Sequence, residues 1–330
     1  QMCIRDRALM ANKAIDFSAS YRVSRWKKAH YINSHLGIKP KAYFPNLPQL
    51  TLGGTDIFHG PDFKIPKNGS FKKVVTIHDL VTFQPFYGIE NAKLAHKNFK
   101  QMLFGCKPDH IITVSEFVKE ELETLFPHTK GMVTAIHSGI NHLNLVPRKE
   151  SETPLFVYIG TIEARKNISN LLKAFALVYE QEPKARLILA GGTGLGGGAI
   201  LEELEKSPVK AAISYEGFIT NERRAALLSS ATAFVYPSLY EGFGLPILEA
   251  MLASCPVITA NFGACAEISH NHAWEVNVQE PEAIAKAMVH ILNNKSLAAE
   301  KAKEAHTYSQ DFTWEQCASD TFQVYKNVLG

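Results

Sequence analysis

The sequence predicts an α/β fold in which parallel sheets are covered on both faces by helices. Two observations predict it. Seven apolar runs rich in Val and Ile recur along the chain, each four or five residues long, as strands buried on both faces read. Between them lie stretches in which apolar residues return every three or four positions, and such strand–helix alternation marks an α/β architecture.

In chain order the expected strands are residues 74–77, 111–114, 133–136, 155–159, 187–190, 233–236 and 257–260. Ser115 can cap a helix over residues 116–126, with Glu116 near the positive end of its dipole. Pro127 stops that helix. Residues 144–154 hold two prolines, four charged residues and little apolar content, the composition of a linker. A domain boundary is therefore expected near residue 150, dividing a first domain, 1–150, from a second, 151–312. In the second, Ile168, Leu171, Leu172, Phe175, Val178 and Tyr179 share one helical face, and Asn221 can cap a helix over 222–231. Residues 314–329 are amphipathic, with Trp314, Ala318, Phe322, Tyr325 and Leu329 at helical spacing. They follow the last strand signal, so segment 313–330 is expected to pack back on the first domain.

Composition excludes several classes. With 46% hydrophobic and 20% charged residues, 330 residues suffice for two cores and do not read as disordered. No apolar run approaches the ~20 residues needed to span a bilayer. The five cysteines, Cys3, Cys106, Cys255, Cys265 and Cys317, are scattered and odd in number, which reads as a reducing compartment without disulfides or a zinc site. Charge is uneven. Residues 1–150 carry 21 Lys+Arg against 12 Asp+Glu, net +9, and residues 151–330 carry 14 against 20, net −6. The basic first half, with Arg22, Arg25, Trp26, Lys27 and Lys28, allows peripheral contact with an anionic membrane surface; an ordinary solvated helix face is the plainer reading. Nothing points to nucleic acid. The chain begins with Gln1 rather than Met, and residues 1–7 match neither a signal peptide nor a strand.

Three segments can carry chemistry. In Y-P-S-L-Y-E-G-F-G-L-P-I-L-E, 236–249, a buried strand feeds a glycine-bearing loop and then a helix with Pro246 in its first turn. Such a loop aims backbone N–H groups at an anion, and it lies where open α/β sheets bind ligands. Glu241 and Glu249 would repel phosphates there, so sugar and ribose hydroxyls are their natural partners. In G-T-I-E-A-R-K-N, 160–167, Gly160 permits close backbone approach, while Arg165 and Lys166 bring two positive charges to a pyrophosphate. In V-T-I-H-D-L, 75–80, His78 follows a strand end and can face a cleft. A fourth segment, G-G-T-G-L-G-G-G at 191–198, has a loose dinucleotide-binding spacing but lacks the acidic ribose ligand on a second strand; it reads as a flexible loop over the donor site. No D-x-D occurs, so no obvious carboxylate clamp for magnesium exists, and the diphosphate falls to Arg165, Lys166 and backbone N–H groups.

Taken together these strings resemble glycosyltransferase family 4. E-G-F-G-L-P-I-L-E at 241–249 resembles its E-x7-E motif, and G-T-I-E-A-R-K-N its pyrophosphate-binding turn. D-I-F-H-G-P at 56–61, V-T-I-H-D-L, I-I-T-V-S-E-F at 111–117 and H-S-G-I-N at 137–141 resemble its acceptor domain, and F-T-W-E at 312–315 the start of its last helix. The resemblance implies the GT-B architecture, two Rossmann-like domains with a cleft between them, the first incomplete here because no strand–glycine–helix unit precedes residue 55. It implies a retaining hexosyltransferase, mannose favoured, that uses GDP-mannose or a UDP-sugar, needs no metal or other cofactor, and serves a glycan or lipid-linked acceptor in cell-surface polysaccharide synthesis on the cytoplasmic side. On that resemblance Arg165 and Lys166 would bind the diphosphate at the Gly160 turn, and Glu249 the ribose. Glu241 would contact the sugar with the backbone of Gly242, Phe243, Gly244 and Leu245. The backbone near Phe218 and Ile219 would meet the base, and His78 would sit beside the reacting sugar. A nucleotide-sugar 2-epimerase of the same fold, a nicotinamide-dependent oxidoreductase and a non-catalytic binding fragment are the alternatives.

Overall fold

A computed structural model describes residues 56–140 and 147–330. The basic segment at 22–28, Cys3 and the chain start lie outside the described residues. The described residues divide into two compact units, one running to Gly139 and taking in Trp314–Gly330, the other between Ile140 and Thr313. The division at Gly139 and Ile140 precedes the boundary expected near residue 150, because Lys149 and Ser151 already bond through their amides to the Ser229 and Ser230 carbonyls of the second unit.

Among the described residues the first unit holds a parallel sheet of four strands in the order β1-β2-β3-β4, with β1 Ile57–Gly60, β2 Lys72–Ile77, β3 His110–Thr113 and β4 Val133–Ala135. Helix α1, Ile89–Lys100, runs into a π-helical turn, Gln101–Cys106, and α2 spans Glu116–Leu125. Ser115 caps α2 by accepting from the Val118 N–H at 3.2 Å. One side of the sheet buries Val75, Ile77 and Ile111 against Val118, Leu122, Phe99 and Phe126. The other side is covered by the last helix, α10, Trp314–Leu329, whose Cys317 and Val324 pack with Val74, Ile112 and Ile136. Within this interface His59 is held between the Tyr325 hydroxyl and the Thr76 hydroxyl, the latter at 2.8 Å. Burial first, and the nearby His78 second, push the His59 imidazole down to about 4.

The second unit holds a six-stranded parallel sheet in the order β10-β9-β8-β5-β6-β7. Its strands are β5 Leu155–Ile159, β6 Arg186–Ala190, β7 Ile213–Gly217, β8 Ala233–Tyr236, β9 Val257–Ala260 and β10 Trp274–Val276. The helices are α3 Ile168–Gln181, α4 Gly197–Glu205, α5 Asn221–Ser230, α6 Leu245–Leu252, α7 Gly263–Ser269, α8 Pro281–Asn293 and α9 Lys295–Ser309. The chain builds outward from β5 to β7, returns to β8 beside β5, and builds outward the other way. The strand order therefore reverses between β5 and β8. The cap of α5 is Thr220, whose hydroxyl accepts from the Arg223 N–H at 3.2 Å, rather than Asn221, the first helical residue. Cys106, Cys255, Cys265 and Cys317 are buried free thiols. Among the described residues, no helix is long and apolar enough to cross a membrane.

The clamp on α10 is testable. Tyr325→Phe leaves one His59 ring nitrogen buried without its partner, and is expected to lower the unfolding free energy by about 1–3 kcal/mol. Urea titration checks it.

Candidate active site

Ligand sites of open parallel sheets form outside the carboxyl ends of strands at the point where strand order reverses. Here that point lies between β5 and β8, and the two motifs of the second unit emerge from those two strands. After β5 the chain makes a turn at 160–163, a 3-10 turn at Ala164–Lys166, and enters α3 through Asn167, whose φ of +59° is left-handed. The short polar side chain of Asn tolerates that conformation, and the Asn167 amide is fixed by donating to the Val278 carbonyl at 2.7 Å. After β8 the loop 237–244 returns over this turn. Leu239 N–H donates to the Arg165 carbonyl at 2.8 Å, and the single proton of the Ser238 hydroxyl is within reach of the carbonyls of Arg165 and Tyr240, each at 3.2 Å.

This docking brings Arg165, Lys166 and Glu241 together. Arg165 donates through Nη1 to a Glu241 carboxylate oxygen at 3.0 Å and to the Tyr240 carbonyl at 2.9 Å, and pairs through Nε with Glu163 at 2.8 Å. Lys166 is only 5% exposed. Its ammonium meets the other Glu241 oxygen, donates to the Tyr236 hydroxyl at 2.6 Å and lies 5.0 Å from the centre of the Tyr236 ring. Burial alone would raise the Glu241 carboxyl, but Lys166 and Arg165 outweigh it and hold the group below its ordinary value. Burial likewise works against the Arg165 cation, and Glu241 and Glu163 more than restore it, so its pKa ends above the usual one. The Arg165 side chain retains 25% of its exposure, so its guanidinium stays within reach of the strand ends, while Glu241 and Glu163 balance the charge of the two cations.

Glu249 stands elsewhere on the same string, in α6. Both its oxygens accept from Arg224 Nη1, at 3.1 and 3.0 Å. Burial nevertheless raises its pKa, with Arg224 opposing only in part. Arg224 Nε is buried without a hydrogen-bond partner, the one such side-chain atom found among the described residues; a native structure leaves few groups in that state. Gly244, with φ of +131°, precedes α6, and Pro246 lies in its first turn. The early amides of any helix lack intrahelical partners, so this end carries partial positive charge. Phe218, just past β7, is 89% exposed, with Ile219 beside it half-buried. His78 belongs to the first unit, at the carboxyl end of β2, with Nε2 at 2.7 Å from the Pro61 carbonyl oxygen.

The glycine-rich run is not a loose flap. Ile162 N–H donates to the Gly192 carbonyl and Gly194 N–H to the Ile162 carbonyl, each at 2.8 Å, and Ala164 N–H donates to the Leu195 carbonyl at 3.1 Å. A Cβ on Gly191 would stand 1.9 Å from the Gly160 carbonyl oxygen, and one on Gly197 would stand 2.3 Å from that of Ile162. These glycines are required because two backbones pass in contact, which corrects the flexible-loop reading. Sequence reasoning missed Arg224, Tyr236 and Asn167 as parts of the site. Arg224 is one of two arginines on a polar helix, and nothing in the string marks which of them turns inward.

Against known proteins, a family model described as glycosyl transferases group 1 matches residues 145–310. O-antigen chain mannosyltransferase B of Escherichia coli is 30% identical over 82% of this chain and 74% of its own length. Glycogen synthase of Mycobacterium tuberculosis is 29% identical over 66% of this chain, which spans 54% of that protein. Among solved structures, sucrose-phosphate synthase of Thermosynechococcus elongatus superposes with a TM-score of 0.67 at 26% identity, covering 79% of this chain and 69% of its own. A glycosyltransferase of Rickettsia africae gives a TM-score of 0.67 at 17% identity over 97% and 83%.

Removing the Glu241 carboxylate leaves the buried Lys166 ammonium without its counter-charge and Arg165 with Glu163 alone. Glu241→Ala is expected to cost about 3–5 kcal/mol of unfolding free energy, the scale for breaking a buried pair. The pH dependence has a definite sign. A carboxylate whose folded pKa lies below its unfolded value of about 4.3 contributes stability above that value and loses it as pH falls through the folded pKa. The stability gap between wild type and Glu241→Gln should shrink across that acid window, as read by denaturant titration at several pH values.

Proposed function

Because the chain belongs to the glycosyl transferases group 1 family, with the GT-B fold of those enzymes, we propose that it is a retaining hexosyltransferase. In this reading it moves a hexose, with mannose favoured, from a nucleotide-diphosphate sugar to a glycan or lipid-linked acceptor in cell-surface polysaccharide synthesis. The observation that carries the reading is the convergence of Arg165, Lys166 and the 241–245 loop at the strand-order reversal. The preference for mannose draws on the likeness to O-antigen chain mannosyltransferase B.

The residues divide the work by chemistry. As the bond from sugar C1 to the diphosphate breaks, negative charge grows on the leaving group, and positive groups fixed beforehand stabilise it without reorganising. Arg165 supplies a fork of donors and Lys166 a compact charge, and the amino end of α6 adds backbone dipoles. Glu249 accepts from ribose hydroxyls, and the exposed Phe218 with Ile219 meets the base. Glu241 sets the two cations and turns its loop toward the sugar. The acceptor oxygen bonds C1 on the face the diphosphate leaves, and the leaving phosphate takes the acceptor's proton. No metal is required in this scheme, and peripheral contact with an anionic membrane through the basic first half would bring a lipid-linked acceptor within reach.

Three outcomes are expected. Arg165→Ala lowers kcat/KM by about 10²–10³-fold, the scale of losing one preorganised donor to a developing anion, in a radiolabelled sugar-transfer assay. The same assay should be insensitive to EDTA. Donor affinity should fall as pH drops through the raised pKa of Glu249, because a protonated carboxyl loses acceptor capacity, and Glu249→Gln should flatten that dependence in titration calorimetry.

A further inference from the structure

The F-T-W-E string straddles the division between the units. Trp314 opens α10 in the first, while Phe312 stays in the second. The Phe312 ring lies 6.2 Å from that of Phe243 with planes at 63°, and 5.2 Å from that of Tyr308 at 76°. Both are edge-to-face arrangements of the kind that aromatic quadrupoles favour. Phe312 and Phe243 are each 8% exposed. Beyond Tyr308 the rings continue to His272 at 4.5 Å. The Phe312 backbone is fixed as well, since its carbonyl accepts from the Ile140 N–H at 3.0 Å.

Phe243 occupies a special position in the donor loop. It sits between Gly242 and Gly244, two residues with little conformational preference of their own, and Gly244 already has φ of +131°. The next side chain, Leu245, is 38% exposed. Between Glu241 and α6, Phe243 is therefore the only buried side chain that can fix the path of the backbone. A loop that must hold a sugar gains accuracy only if its anchor has a rigid seat.

We propose that Phe312 is a positioning residue for the donor loop. It seats Phe243, and through it the backbone from Gly242 to Leu245 that meets the transferred sugar, while touching no substrate itself. The inference rests on the transfer reading above. It assigns a task to an aromatic residue that the sequence marks only as the entrance to the last helix.

The test compares binding of a nucleotide sugar with binding of its bare nucleotide, using GDP-mannose with GDP and UDP-glucose with UDP. Arg165, Lys166 and Glu249 serve both ligands, whereas the seated loop serves the sugar. Phe312→Ala should weaken nucleotide-sugar binding roughly tenfold, the scale of one aromatic pair, and leave the bare nucleotide nearly unchanged. Phe312→Leu, which keeps much of the volume, should fall between and guards against a misfolded alanine variant. Ile291→Ala, buried in α8, is the control for lost stability alone, and should lower the thermal midpoint without moving the ratio of the two affinities. Phe243→Leu combined with Phe312→Ala should cost less than the sum of the two. An unchanged ratio in the Phe312 variants, or an equal shift in Ile291→Ala, overturns the positioning role. A wild-type chain that binds neither nucleotide sugar overturns the transfer reading, and this role with it.

Discussion

A carboxylate buried between two cations governs the second unit. Desolvating three charged side chains is costly, and hydrophobic residues of similar volume often give equal or greater stability. The arrangement of Arg165, Lys166 and Glu241 is therefore poor evidence of stabilisation and good evidence of a site. What it demands of the fold is extensive. Lys166 needs the Tyr236 hydroxyl and ring beneath it, so β8 must end beside the turn that follows β5. The loop 237–241 must return over that turn, which Leu239 and Ser238 secure through the Arg165 carbonyl. The turn itself is braced from the far side by the glycine run, at a distance no side chain would permit.

The two glutamates of one short string end in opposite electrostatic states. Glu241 faces two cations and is held ionised below its normal range, whereas Glu249 faces one, and burial still raises it. The difference lies in the number of charges each receives, since both are largely buried. A carboxylate already saturated by two cations is suited to fixing geometry. One that is under-compensated gains more from new hydroxyl donors, and the unpartnered Nε of Arg224 beside it shows the same incompleteness. The two carboxylates thus differ in how fully their charge is met by the packing, before any ligand is considered.

Much of this was legible in the sequence, and the gaps have a common cause. All the central strands appear as continuous apolar runs, and β5, β8 and β9 match their expected limits residue for residue. The three strands without such a run, β1, β7 and β10, stand at the sheet edges among the described residues. An edge strand is covered incompletely, so Ser214 and Tyr215 in β7 stay exposed and no unbroken apolar run forms. The cationic turn and the glycine-bearing loop were readable because strand, turn and helix chemistry agree at each. Their pairing partners were not. Tyr236 reads as one more core residue, and Arg224 as a solvated charge. Gly191 and Gly197 read as freedom when each is needed for close backbone contact, since composition cannot distinguish a backbone that moves from one that another backbone touches.

The last helix imposes an ordering constraint on the whole chain. The face of the first sheet formed by Val74, Ile112 and Ile136 is closed by Cys317 and Val324, and the buried His59 finds its hydroxyl partner in Tyr325, 266 residues away. That core cannot be completed until the entire second unit has been made. Contacts of such separation incur the loop-closure entropy of everything between them before any burial repays it. A folded second unit shortens that path, because Ile140 N–H and the Phe312 carbonyl hold the two places where the chain enters and leaves it side by side. Folding of the second unit therefore lowers the entropic cost of closing the first core. Phe312, whose carbonyl accepts from the Ile140 N–H, also packs its ring on Phe243, so the junction and the loop 237–244 share one support.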